Sequence, residues 1–184
     1  MSLVIVETLY DEPVTFDRLN EEEERLVPCL TIRQVTWRYS LLSDDRHRTI
    51  CTYDAPDAEA VRTGHRMAKV PFHRIWAGEL LEFQMSQPQL SPVSRIVMEA
   101  TSLALSQDEW HKINRKFLHA LSEQKIDWLR TYRSLDRTTA FWELQSPDVQ
   151  IVQSAQQQVH VPCDRIWSAE LLNPEIWAGL GFST

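Results

Sequence analysis

The chain has 184 residues, 43% hydrophobic and 24% charged, with a formal net charge of −7, a composition typical of a soluble globular protein. The acidic balance excludes a nonspecific nucleic-acid binder, which needs clustered Lys and Arg, and there is no run of about 18 apolar residues to span a membrane. Cys29, Cys51 and Cys163 are widely spaced, and the start Met-Ser-Leu-Val-Ile-Val-Glu lacks a signal-peptide pattern, so neither a disulfide framework nor a zinc clip is expected and a bacterial-type cytoplasm is.

In chain order, the β-branched run Leu3 to Leu9 predicts a strand. Asp17 to Leu26 follows as a helix with Leu19 and Leu26 on one face and Glu21 to Glu24 largely on a solvated one, and Pro28 is expected to end it or deform its last turn. Ile32 to Leu42 and Arg48 to Asp54 read as two strands of a hairpin joined by the polar turn Ser43-Asp44-Asp45-Arg46. Pro56 opens a helix running to about Lys69, and His73 to Phe83 closes the set as a strand. A linker rich in Pro, Ser and Gln separates this from a second set: strand Arg95 to Leu103, helix Ser106 to Glu123, strands Lys125 to Ser134 and Thr138 to Gln145, helix Pro147 to Val159, and strand Asp164 to Asn173. Ser106 with Glu109 predicts a capping box, and Ser146 is read as the cap of the helix that Pro147 opens. The tail carries Trp177 and Phe182 and is expected to dock on the body.

The two sets are copies. At a fixed offset of 91 positions, Trp37 to Leu81 falls on Trp128 to Leu172 with about a third of positions identical. Ser43-x-Asp45-Arg46 meets Ser134-x-Asp136-Arg137, and Arg74-Ile75-Trp76-x-x-Glu79 meets Arg165-Ile166-Trp167-x-x-Glu170. A duplicated unit of roughly 90 residues is the length of a small domain, too long for a solenoid repeat. The expected organisation is repeat 1 over residues 1–83, a linker over 84–94, repeat 2 over 95–173 and a tail over 174–184.

The order β-α-β-β-α-β is that of a ferredoxin-like unit, an α+β fold whose antiparallel sheet carries helices on one face and leaves the other bare. Two copies in one chain predict a pseudo-dimeric α+β barrel with a cavity between facing sheets; the alternative is two sheets joined edge to edge.

Trp128-Leu-Arg-Thr-Tyr-Arg-Ser134 and Thr49-Ile-Cys-Thr-Tyr-Asp-Ala-Pro-Asp57 resemble a small bacterial family of ferredoxin-like domains of unknown function with a nickel-binding member. Its pattern joins a strand ending in Trp-x-x-Ser-Tyr to a Cys-x-Tyr-Glu-Ala-Pro-Asp segment. Cys51 matches the cysteine in copy one, whereas Trp142 stands there in copy two, so at most one copy keeps a comparable metal-ligand set. The resemblance implies nickel or another transition metal as a ligand.

Candidate site residues follow. Cys51 and His65 are the metal-ligand candidates, as thiolate and imidazole suit first-row ions. Glu79 and Glu170 occupy one position in the last strands, and alternation puts Glu79 on a sheet face with Ile75 and Ala77. A carboxylate there is either cavity wall or the partner of an arginine, and Glu7 and Glu99 carry the same alternatives. Trp37 and Trp128, with Tyr39, Arg130 and Tyr132 as polar tips, are candidate ligand-binding residues; large core anchors are the other reading of a duplicated Trp. With four glycines, no GxSxG and no phosphate loop, nothing marks a nucleophilic enzyme. The reading is a noncatalytic protein binding a small molecule or metal between two sheets. The alternatives are a cofactor-independent α+β-barrel enzyme of monooxygenase or isomerase type, and an oligomerising scaffold that assembles as a homo-oligomer.

Overall fold

The computed structural model describes residues 1–82, 94–101, 103 and 105–181; the expected linker, apart from Ser94, and Phe83 and Phe182 lie outside them. Two compact units divide the chain, Met1–Gly78 with the segment from Glu170 onward, and Glu79–Ala169. The fold is mixed α/β, with five helices and eight strands among the described residues, the strands pairing antiparallel within each unit.

The first unit runs β1 (Ser2–Leu9), α1 (Phe16–Thr31), β2 (Thr36–Ser43), β3 (Arg48–Ala55), α2 (Ala58–Ala68) and β4 (Arg74–Glu82, whose last residues count with the second unit). β1 lies between β3 and β4, and β2 flanks β3, all antiparallel. Helices α1 and α2 pack on the face of this sheet that carries Val4, Val6 and Tyr53, closing a core with Leu26, Leu30 and Val61.

Three local expectations are corrected. Helix α1 passes through Pro28 to Thr31, because Pro28 forfeits only its own N–H bond while buried Leu30 anchors the last turn against the sheet. Consequently Ile32 is the C-cap, not strand, and β2 begins at Thr36. Helix α2 starts at Ala58, with Asp57, not Pro56, at its entrance: the Asp57 carboxylate accepts the Ala60 N–H at 2.8 Å.

The second unit repeats the order as β5 (Ser94–Ala100), α3 (Gln107–Glu123), β6 (Asp127–Ser134), β7 (Ala140–Ser146), α4 (Val149–Val159) and β8 (Arg165–Leu172). β5 lies between β7 and β8, and β6 flanks β7. The capping box at Ser106 and Glu109 is present. The cap of α4 is Asp148, accepting the Gln150 N–H, and Ser146 instead bonds the Asp148 carbonyl.

The duplicated Ser-x-Asp-Arg motif has a physical cause in each hairpin. Asp45 accepts the Ser43 hydroxyl at 2.6 Å and the His47 N–H at 3.1 Å, and Asp136 accepts the Ser134 hydroxyl at 2.6 Å and the Thr138 N–H at 3.0 Å. The following Arg46 and Arg137 adopt left-handed φ of 59° and 63°. After β8, α5 (Pro174–Gly179) buries Trp177 against Tyr10, Val14, Leu42 and Leu172.

Candidate functional site

The first unit encloses a cavity of about 60 Å³ between its sheet and its helices. Strand alternation supplies one wall: Thr49, Cys51 and Tyr53 of β3 share a face, and Thr8 stands opposite Thr49 on β1. A β-bulge between Trp37 and Tyr39 turns both Trp37 and Ser40 of β2 onto that same face. The Trp37 indole therefore donates to Ser40 Oγ at 2.9 Å, and Ser40 donates to Cys51 Sγ at 2.9 Å. Leu172 and Trp177 complete the lining from the C-terminal segment, Trp177 meeting Trp37 edge-on at 6.4 Å.

Helix α1 contributes Leu19, Glu22, Glu23 and Leu26, spaced by three, one and three residues along one stripe. Thus the glutamate run is not wholly solvated as its sequence suggests. Glu22 is only 6% exposed; it accepts from the Tyr10 hydroxyl at 3.1 Å and pairs with Arg18 at 3.1 Å. Among the described residues Glu23 has no cationic partner, and burial pushes its carboxyl up to about 7. The signal that would have found both residues is their i+3 and i+4 spacing from Leu19.

Helix α2 brings His65, 3% exposed, with neither ring nitrogen in a hydrogen bond. Its ring stands edge-on to Tyr53 at 6.4 Å and to Phe72 at 5.7 Å. Burial drags its pKa down to about 4; the Val70 backbone opposes this without reaching hydrogen-bond geometry. Burial also pushes the Cys51 thiol up to about 11, and the Tyr53 phenol is raised for the same reason. Cys51 keeps partial accessibility because its thiol faces the cavity.

Of the residues singled out in the sequence, Cys51, His65 and Trp37 line this one cavity. Tyr39 pairs with Thr52, one step from Cys51 and so on the opposite sheet face. In the second unit Arg130 pairs with Glu143 at 3.3 Å, Tyr132 stacks on Phe141 at 4.5 Å, and Trp128 is a core residue donating to Thr131 at 2.8 Å. Glu79 is the ion-pair partner of Arg133, and Glu170 is solvent-exposed. Glu7 is buried with Arg74 at 2.6 Å and the Trp76 indole at 2.8 Å, and Glu99 accepts from the Trp167 indole.

In the second unit the inner end of the corresponding region is filled, while Leu81, Trp110 and Asn114 line a more open pocket outside it. Trp142, at the position of Cys51, is 1% exposed and stacks on Trp110 at 5.5 Å. Gln156, at the position of His65, donates to the Val161 carbonyl at 2.6 Å. Asn114 stands where the first copy has Glu23.

The family model for nickel-responsive SCO4226-like proteins matches residues 4–77 and again 93–168. The chain belongs to this family. The crystal structure of SCO4226 from Streptomyces coelicolor A3(2) is 17% identical with a TM-score of 0.37, covering 47% of this chain and 100% of its own. At full length the fold is similar to that of a putative chlorite dismutase, TA0507, with a TM-score of 0.52 and 11% identity over 97% of both chains. It is likewise similar to a heme-binding protein from Thermus thermophilus, with a TM-score of 0.51 and 11% identity over 98% of this chain and 94% of that one. No curated protein matches the chain.

The family's description raises nickel, and the cavity holds both metal-ligand candidates. Among the described residues no three His, Cys, Asp or Glu side chains converge as metal ligands. Cys51 and His65 share the cavity as ligand types that suit a first-row ion, but no third ligand converges with them among the described residues. The side chains as arranged do not fit the ion. Among the described residues no helix is long and apolar enough to cross a membrane.

Proposed function

We propose that this protein binds a small organic molecule in the cavity of its first unit. The observation that carries the reading is His65: a buried imidazole with two unused hydrogen-bonding nitrogens, in a cavity whose wall joins apolar Leu26, Trp37 and Val70 to polar Thr49, Ser40 and Glu23. An unpaired buried polar group costs about 1–3 kcal/mol. A ligand that completes it recovers that cost, and mostly apolar walls with a few polar groups are the usual form of a small-molecule site. A cavity of about 60 Å³ holds a molecule of only a few heavy atoms, far less than a tetrapyrrole. Acid–base catalysis is the second reading, favoured by Glu23, a carboxyl that burial brings near neutrality.

We further read the two βαββαβ halves as ferredoxin-like repeats of a duplicated ancestor, spanning residues 1–83 and 95–173. The double family match and the register of identities support this. In this view the first copy retains the site and Trp142 closes the second.

Cys51→Trp tests the assignment by copying the second unit's filling into the first. With ethanol as the probe, an NMR titration is expected to give saturable binding to the wild type and none to a folded Cys51→Trp variant. Equal binding by both proteins moves the site elsewhere.

A further inference from the structure

The cavity's charge pattern narrows its ligand further, on the assumption that the first-unit cavity is the site. No lysine or arginine lines it. Its two carboxylates differ: Glu22 is satisfied by Arg18 and Tyr10, while Glu23 has neither a cation nor a hydrogen-bond donor among the described residues. Around Glu23 stand π-faced side chains, Trp37, Tyr53 and Trp177. We propose that the ligand is a small organic monocation, a primary ammonium on a short apolar chain, held by the Glu23 carboxylate, the aromatic walls and a ring nitrogen of His65.

Each part of such a molecule has a counterpart. Ammonium N–H groups need acceptors, which a carboxylate and a neutral imidazole nitrogen provide. Burial keeps His65 uncharged at neutral pH, so it accepts a proton donor without repelling a cation. Aromatic rings attract cations electrostatically, more strongly where water is excluded. An anion meets Glu23 with no compensating cation and is rejected. A neutral molecule of the same size gains the apolar contacts but leaves the carboxylate unmatched.

Three probes of one shape separate the contributions at about pH 8, where an aliphatic amine is protonated: ethylamine, ethanol and acetate, titrated into the full chain and followed by NMR. Ethylammonium is expected to bind at least about tenfold tighter than ethanol, with acetate not bound. Glu23→Gln, checked for folding by circular dichroism, is expected to bring ethylammonium down to the affinity of ethanol. Ethanol matching or exceeding ethylammonium in the wild type overturns the cation assignment while leaving the cavity a binding site. Binding of none of the three overturns both. An unchanged ranking in Glu23→Gln assigns the charge preference to another group and overturns the role of Glu23.

Discussion

Two groups with opposite proton preferences line the first unit's cavity. His65 has a folded-state pKa of about 4 against an ordinary 6.5. Between those values the unfolded chain binds the extra proton, so this residue's contribution to stability falls as pH drops from 6.5 to 4. Glu23 is shifted the other way, to about 7 from 4.5. The folded state holds its proton longer, so its contribution is present below 4.5 and lost as pH rises to 7. Each shift corresponds to on the order of 3 kcal/mol, and over most of the shared window the two slopes cancel. Single variants unmask them in urea unfolding followed across pH. Relative to wild type, Glu23→Gln is expected to gain stability as pH rises from 4.5 to 7, and His65→Gln to gain as pH falls from 6.5 to 4. Differences that stay flat with pH would mean that neither group is shifted. At this scale the sequence pointed to Cys51 and His65 singly. Their meeting in one cavity is set by α2 folding back over β3, which linear spacing does not encode. Glu22 and Glu23 were hidden by their acidic neighbours, since a run of glutamates reads as solvated until its members are placed on the stripe that Leu19 and Leu26 define.

Most helices and strands were legible, because period-two alternation and polar turns mark them directly. Errors gathered at proline. Pro28 sits inside α1 because the tertiary packing of Leu26 and Leu30 outweighs one missing hydrogen bond. Pro56 and Pro147 each precede the true N-cap, Asp57 or Asp148, whose carboxylate satisfies a first-turn N–H that a proline cannot. The interior proline leaves the Glu24 carbonyl without its helical donor. Pro28→Ala restores that donor and is expected to stabilise the protein by about 1–3 kcal/mol in urea unfolding. The loosened unfolded chain offsets part of this. Unchanged or lower stability would show that the proline is accommodated without cost. The bulges in β2 and β6 had no sequence signature, yet they decide which aromatic residues face the helices: Trp37 and Trp128 do, while Tyr39, Arg130 and Tyr132 stand on the other face.

For the molecule as a whole, the duplication fixed the element order twice over, and the family match covers both halves. Sequence identity between copies did not reveal how differently they use the same framework. Cys51, Tyr53 and His65 in one copy are Trp142, Leu144 and Gln156 in the other. These exchanges replace small or polar groups by a large indole, an apolar side chain and a self-satisfied amide, filling the inner end of the site with packed side chains. Such filling gains dispersion contacts, although Trp142 Nε1 and Asn114 Oδ1 are buried there without a partner. A copy that keeps the cavity and its unpaired imidazole forgoes those contacts, which is the pattern expected where binding is retained. The most direct measurement is a crystal structure of the full chain soaked with ethylamine. Ligand density between Trp37, Glu23 and His65 is the expected result; a cavity devoid of ligand in crystals that bind it elsewhere on the chain would contradict the account.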